Sequence, residues 1–143
     1  MRVTSPLHNL VVAGSLKEET PDVAEYRGLV RSGTLRLSDT GNTSLSMEGR
    51  FDLAYNAAHA LSLAALRRRG YRPSNRYIVF QVLEHTLSVG PGVWRVLAKC
   101  HQIRNQGEYE GDLSVDEKLV NDLIVACNSV AEALAALPPL GDS

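Results

Sequence analysis

The chain has 143 residues, of which 44% are hydrophobic and 22% are charged. These values fit one globular domain and exclude low-complexity and intrinsically disordered classes. Fifteen Lys and Arg residues against sixteen Asp and Glu residues give a net charge of -1, which supplies no general attraction to nucleic acid or anionic lipid. Any binding of a polyanion must therefore depend on a local cluster of cations.

The sequence lacks the signals of membrane insertion, secretion and metal binding. No apolar run approaches the roughly 20 residues of a membrane span, and the N-terminus lacks the apolar core of a secretory signal. We therefore expect a cytoplasmic protein without a membrane partner. Cys100 and Cys127 fall at apolar positions of helical patterns, which predicts buried free thiols. Since neither metal-ligand spacings nor glycine-rich nucleotide loops occur, no metal and no cofactor is expected.

The first third of the chain predicts a tail, a short helix and a loop. Residues 1–15 are expected to form an N-terminal tail that contains one short apolar run. Thr20 and Pro21 then suit a helix start, because threonine caps free amides and proline fits the first turn. Apolar residues recur at helical spacing up to Gly33, which is expected to end this helix. A loop is predicted at 38–42.

The clearest helix is predicted from Ser46 to Arg69. Apolar residues step by three and four along one face, which should face the core: Met47, Phe51, Ala54, Ala58, Leu61 and Ala65. The basic run 67–69 lies at the negative end of the helix dipole, and Gly70 suits a left-handed exit. This pattern favours a helix end over a nucleic-acid patch.

Two more helices are predicted after this long one. The third opens at Pro73 and Ser74 and should be mostly buried, because few of its positions are polar. The fourth is amphipathic from Val93 and reaches the polar segment 104–111.

The last helix is predicted to begin at Ser114, with Glu117 completing a capping box, and to end at Pro138. Its apolar positions form a narrow seam that suits either a bundle or a subunit interface: Val120, Leu123, Cys127, Val130, Leu134 and Leu137. No alternating strand pattern competes. The predicted fold class is therefore all-α, a bundle of about five helices.

The end of the fourth helix carries a cluster of polar side chains. His101, Arg104, Asn105 and Glu108 share one helical face, and Tyr109 lies one turn beyond Asn105. A guanidinium, an amide and a phenol together could bind a phosphate, because Arg presents several donors in fixed geometry. The alternative is a solvated helix end in which Arg104 pairs with Glu108.

A second polar line lies on the long helix, where Asp52, Tyr55, His59 and Ser62 align at steps of three and four. Two interpretations remain open. Tyr55 and His59 are either half-buried structural residues whose polar ends bind a neighbouring helix, or they line a groove opposite Arg104.

Three segments carry a resemblance to a known family: F-D-L-A-Y-N-A-A at 51–58, Leu66 with G-Y-R-P at 70–73, and R-N-Q-G-E-Y-E-G at 104–111. With the order of helices, they resemble one bacterial branch of the HEPN domain, a small helical bundle named for its occurrence in higher eukaryotes and prokaryotes. The resemblance covers 46–137. It implies a single HEPN-like domain at 16–138, followed by a C-terminal tail at 139–143.

The motif of the family is an Arg, usually followed by a polar residue, with a His a few positions later. Arg104 and Asn105 match its beginning, whereas Tyr109 stands where the spacing would place the His. Many family members are metal-independent ribonucleases of toxin–antitoxin or defence systems that work as homodimers, and others are inactive nucleotide- or RNA-binding modules. A phenol with a pKa near 10 is a poorer base than an imidazole near 6.5, so the departure weakens the case for cleavage.

The resemblance implies a homodimer that binds RNA or a nucleotide, with metal-independent RNA cleavage as a further activity and an antitoxin protein as a partner. Arg104 would stabilise phosphate charge, Asn105 would orient it, and Tyr109 would act as proton donor. The expected binding residues are Tyr55, His59, His101 and Glu108, and His101 is also a substitute source of an imidazole. The alternative function is a non-catalytic helical interaction module that uses the seam at 120–137.

Overall fold

Seven helices and one small sheet make up the part of the chain that the computed structural model describes, residues 5–110 and 115–140, with only the backbone described at 108–110. The elements in chain order are α1 (Pro6–Val12), β1 (Leu16–Glu18), α2 (Val23–Asp39), α3 (Met47–Arg68), β2 (Tyr71–Pro73), α4 (Ile78–Gln81), α5 (Leu83–Thr86), α6 (Pro91–Glu110) and α7 (Glu117–Ala135). The predicted all-α bundle is confirmed, with more and shorter helices than expected.

Helix α3 is the central element, and its prediction is confirmed. The Ser46 side chain accepts a hydrogen bond from the Gly49 amide at 3.0 Å, which caps the first turn. Phe51 and Leu61 on the apolar face are fully buried, and α2, α6 and α7 pack around them. Gly70 has a φ of +91°, the left-handed exit that the sequence predicted.

Helix α2 differs from its prediction at both ends. Its cap is Asp22, which accepts from the Glu25 amide at 3.1 Å, and the helix continues to Asp39. Gly33 therefore lies inside the helix. A Cβ at Gly33 would lie 2.6 Å from Cγ of Leu61, so the glycine permits close packing of α2 against α3. The prediction that Gly33 ends the helix is wrong. The glycine is required by a contact with a distant residue, Leu61, which the local sequence pattern does not show.

The N-terminal segment contains structure that the sequence did not indicate. Ser5 caps α1, and Leu7 of that helix is buried in the core. Strand β1 pairs antiparallel with β2, with Leu16 opposite Pro73. Strands of three residues are too short to display an alternating pattern, so the sheet was missed.

The buried third helix of the prediction is two short helices, α4 and α5, joined at Val82. The residues expected to open it do not do so: Pro73 belongs to β2, and Asn75 accepts from the Ile78 amide at 3.1 Å. The predicted burial is confirmed, since most apolar side chains of both helices lie in the core.

Helix α7 begins later than predicted. Asp116 is its cap and accepts from the Leu119 amide at 2.8 Å, while the predicted cap Ser114 lies outside the described residues. Its seam packs chiefly against α3, and all seam residues except the half-buried Leu137 are buried. The seam therefore serves the bundle. Cys100 and Cys127 are buried free thiols, as predicted, and burial raises the pKa of each to about 12.

The basic run at the end of α3 binds other parts of the chain. Arg67 is only 2% exposed, and its Nε atom donates to Oε1 of Glu25 at 2.6 Å. The same guanidinium donates to three main-chain carbonyls, those of Glu19, Thr20 and Tyr71. Hydrogen bonds from Arg72 and then from Arg67 lower the pKa of Glu25. This network fastens the segment before α2 to the end of α3.

Candidate functional site

Helices α3 and α6 bring the two predicted polar lines together. The Tyr55 hydroxyl on α3 lies 2.8 Å from Nδ1 of His101 on α6. Both residues are buried, with 1% of Tyr55 and 9% of His101 exposed. Because the partner of each group comes from the other helix, the hydrogen bond fixes how α3 and α6 face each other.

The imidazole of His101 is enclosed on several sides. Its Nε2 atom lies 3.0 Å from Nδ2 of Asn105, one turn further along α6. The Tyr77 ring stacks on it at 5.3 Å between centroids with an interplanar angle of 18°, and the Phe80 ring meets it edge-on. With the Asn105 amide donating to Nε2, the hydrogen of a neutral ring resides on Nδ1 and points to the Tyr55 oxygen. Both ring nitrogens are thus bonded to protein groups.

Arg104 is oriented by α3. Its Nη2 atom lies 3.2 Å from Oδ1 of Asp52, and its Cζ atom lies 4.9 Å from the centroid of the Tyr55 ring. The Arg104 side chain is 21% exposed and that of Asp52 is 52% exposed. Ion pairing and the ring face together restrict the guanidinium to one orientation. The expected partner Glu108 has its side chain outside the described part of the chain.

His59 is half-buried one turn beyond Tyr55 on α3, with its ring edge-on to Phe80 at 6.1 Å. Desolvation lowers the pKa of His59 to about 4, and the positive charges of Arg76 and Arg104 contribute to the shift. The imidazole is therefore neutral at pH 7. The charges of Arg76 and Arg104 therefore act on one side chain from two segments of the chain.

Ser62 does not belong to this cluster, although it continues the polar line of α3. Its side chain is fully buried, and its hydroxyl has no hydrogen-bond partner in the described part of the structure. Tyr109 lies in the last turn of α6, where only the backbone is described.

Two residues of the cluster were missed by the sequence analysis. Both fell within the predicted third helix and neither was singled out, yet both precede α4, where Tyr77 stacks on His101 and the charge of Arg76 acts on His59. Asp52 was noted on the polar line without a role. The aromatic and basic pair Arg76-Tyr77 is the only local signal that could have drawn attention to this segment.

The cluster offers donors and positive charge, which suit an anion better than a cation. No group of three or more His, Cys, Asp or Glu side chains among the described residues could hold a metal ion. His101 is a poor substitute for the missing motif histidine, since a substrate hydroxyl would have to displace Tyr55 or Asn105 to reach a ring nitrogen. The geometry therefore favours binding of an oxyanion over removal of a proton.

Comparisons with known proteins add no assignment: no family model matches the chain, and no curated protein and no solved structure was found to match it. Within the described residues, no helix combines the length and the apolar character needed to cross a membrane.

Proposed function

We propose that this chain binds the phosphate groups of single-stranded RNA or of a nucleotide at the cluster around Arg104. The observation that carries the proposal is the part-exposed guanidinium of Arg104, which is held against the Tyr55 ring and beside Asp52 on α3. Arg76, before α4, adds a second guanidinium whose charge acts together with that of Arg104 on the imidazole of His59. A local cluster of this kind is what a protein with a net charge of -1 needs in order to hold a polyanion.

The orientation of Arg104 supports this proposal. Its guanidinium rests on the Tyr55 ring and beside Asp52, so little side-chain freedom is lost when a phosphate binds. The planar guanidinium presents its donors in fixed geometry, and a phosphate bound there would compete with Asp52 for the Nε and Nη2 atoms. The exposed amide of Asn105 is adjacent and supplies a further polar contact.

The aromatic content of the cluster favours RNA over an isolated phosphate. Tyr77 is half-buried and already stacks on His101, and Arg76 beside it is exposed. Single-stranded RNA is commonly bound by aromatic rings and arginine planes that stack on bases, next to cations that contact the backbone. A phosphate at Arg104 with a base near Tyr77 would use both features.

We propose binding and not metal-independent cleavage as the main activity. Cleavage requires a proton acceptor, whereas His101 is bonded at both nitrogens and the pKa of His59 is about 4. A HEPN-like homodimer is part of the proposal, because two copies would present twice as many cations to one strand. The alternative interaction module lacks the surface first considered for it, since the α7 seam is packed against α3.

Fluorescence anisotropy with a labelled single-stranded oligouridine tests the proposal at fixed salt. We expect Arg76→Ala to weaken binding by about 10-fold, the equivalent of about 1.4 kcal/mol, and Arg104→Ala to weaken it at least as much. Arg95→Ala is the matched control, because Arg95 is also exposed and basic but lies at the opposite end of α6. Equal binding by all four proteins would contradict the proposal.

The same titration distinguishes the two sources of phosphate and examines cleavage. Unlabelled ATP should displace the RNA if a nucleotide is the ligand, and an unlabelled oligouridine alone should do so if an RNA strand is needed. When the RNA is incubated with the protein in the presence of EDTA, gel analysis should show intact strands. A cyclic-phosphate product that disappears with Arg104→Ala would instead establish the ribonuclease activity.

A further inference from the structure

A groove lies between α2 and the C-terminal end of α7, away from the residues of the proposed phosphate site. Val30 of α2, Leu61 of α3 and Leu134 of α7 line it, and Leu137 to Pro139 close one edge. The groove encloses about 360 Å³, which lies within the range of ligand-binding clefts. Its lining is predominantly apolar, so its occupant must bring an apolar surface.

The charged side chains that the structure describes along this groove all have the same sign. Arg27 and Arg31 of α2 line it, and none of the described residues that line it is acidic. Arg68 adds a third guanidinium at one end, where it donates to the Tyr26 hydroxyl at 3.0 Å and to the Pro138 carbonyl at 2.8 Å. An apolar groove with cations along its described rim is complementary to an apolar surface flanked by acids.

We propose that this groove binds an acidic amphipathic helix of a partner protein. The apolar face of that helix would rest on Val30, Leu137 and Pro138 at the open side of the groove, and its acidic side chains would pair with Arg31. The mode is the familiar insertion of one helix into a groove between two others, with apolar anchors at steps of three and four. This proposal is independent of RNA binding, because it shares no residue with the cluster around Arg104.

The shape of the surface favours an elongated occupant. Arg27 and Arg31 are one turn apart on α2, and Leu35 follows one turn later with 59% of its surface exposed. The cations and the exposed apolar residue therefore run along the helix axis for two turns, about 11 Å. A ligand helix lying along α2 covers this line, whereas a compact small molecule covers only the pocket itself. An RNA backbone would meet an apolar floor that offers no stacking ring beyond Tyr26.

Selection from a displayed library of four-turn helical peptides tests the proposal on the full chain. The enriched peptides are expected to carry apolar residues at helical spacing and acidic residues beside them. In anisotropy titrations, Arg31→Glu should weaken such a peptide by about 10-fold or more. A peptide whose acidic residues are replaced by lysines should instead bind Arg31→Glu more tightly than it binds the wild type. Arg36→Glu on the opposite face of α2 is the matched control and should bind like the wild type.

A second variant separates the groove from charge alone. Thr34 is exposed and lines the groove, so Thr34→Trp should fill it without changing the net charge or the core. Loss of peptide binding with an unchanged melting temperature is the expected result. The proposal is wrong if the enriched peptides show no acidic bias, if they bind Arg31→Glu as tightly as the wild type, or if no peptide is enriched. Dodecanoate that fills the groove while peptides do not would identify a small amphiphile as the occupant instead.

Discussion

The Tyr55 hydroxyl and Nδ1 of His101 form a buried hydrogen bond of 2.8 Å that joins α3 to α6. Arg104 rests on the same tyrosine ring, and Asn105 binds the other nitrogen of the same imidazole. This contact in the core therefore helps to orient the proposed phosphate-binding residues, together with the ion pair between Arg104 and Asp52.

Tyr55→Phe should measure the strength of this contact. The substitution keeps the ring but leaves a buried nitrogen of His101 without its partner, which should lower the free energy of unfolding by about 1–3 kcal/mol. Tyr77→Phe keeps the ring that stacks on His101 and should change the free energy of unfolding by no more than about 0.5 kcal/mol. Urea denaturation of both variants gives the comparison, and equal stabilities would show that the hydrogen bond contributes nothing.

The buried guanidinium of Arg67 should contribute much more to stability than its exposed neighbour. Arg67→Met removes one of the two guanidinium partners of Glu25, which keeps its bond to Arg72, and takes their Arg67 donor from three carbonyls, so we expect a loss of about 3 kcal/mol. Arg69→Met removes an exposed hydrogen bond to the His85 carbonyl and should cost about 1 kcal/mol or less. Calorimetry that finds the two variants equally stable would contradict the role assigned to Arg67.

These two sites also show what the sequence could indicate. The extent of α3 and the residues of its apolar face could be predicted, because the apolar spacing and the Ser46 cap are local properties of the sequence. The burial of Arg67 and the close contact of Gly33 with Leu61 were not, because each depends on a residue far away along the chain. Local patterns specify an element, whereas its partners depend on the tertiary structure.

The same distinction applies to the candidate site. The polar lines of α3 and α6 were visible as helical periodicity, and the structure brings Tyr55 and His101 together across them. Tyr77 and Arg76 escaped notice because their segment was assigned to a continuous buried helix, whereas they precede the first of two short ones. Residues outside regular helices show no helical periodicity, so the sequence pattern could not indicate that Arg76 and Tyr77 lie beside the cluster.

The His59 environment predicts a pH dependence of stability. The pKa of His59 is lowered to about 4 in the folded chain from 6.5, chiefly by desolvation. The unfolded chain therefore takes up a proton first as the pH falls. The contribution of His59 to the free energy of unfolding is fully present above pH 6.5 and decreases as the pH falls toward 4. His59→Gln should flatten this part of the stability profile in urea titrations, and an unchanged slope would contradict the assignment.

The proposed homodimer has a surface on which it can be tested. Val125 of α7 is 66% exposed and lines a shallow apolar depression with Val93 and Val96 of α6. Light scattering should give about twice the monomer mass of 15.6 kDa, and Val125→Glu should reduce it to that of the monomer. Val12→Glu changes a valine of α1 that is also largely exposed and serves as control. A wild-type mass near 15.6 kDa would contradict the dimer.

Titration of the His59 imidazole by NMR, with and without saturating single-stranded RNA, tests phosphate binding at this cluster most directly. Without RNA its pKa should be about 4. A phosphate held by Arg104 and Arg76 would stabilise the charged imidazole and raise that pKa. An increase that is lost in Arg76→Ala is the result that the proposal predicts. An unchanged pKa in the presence of bound RNA would show that the phosphates lie elsewhere and would contradict it.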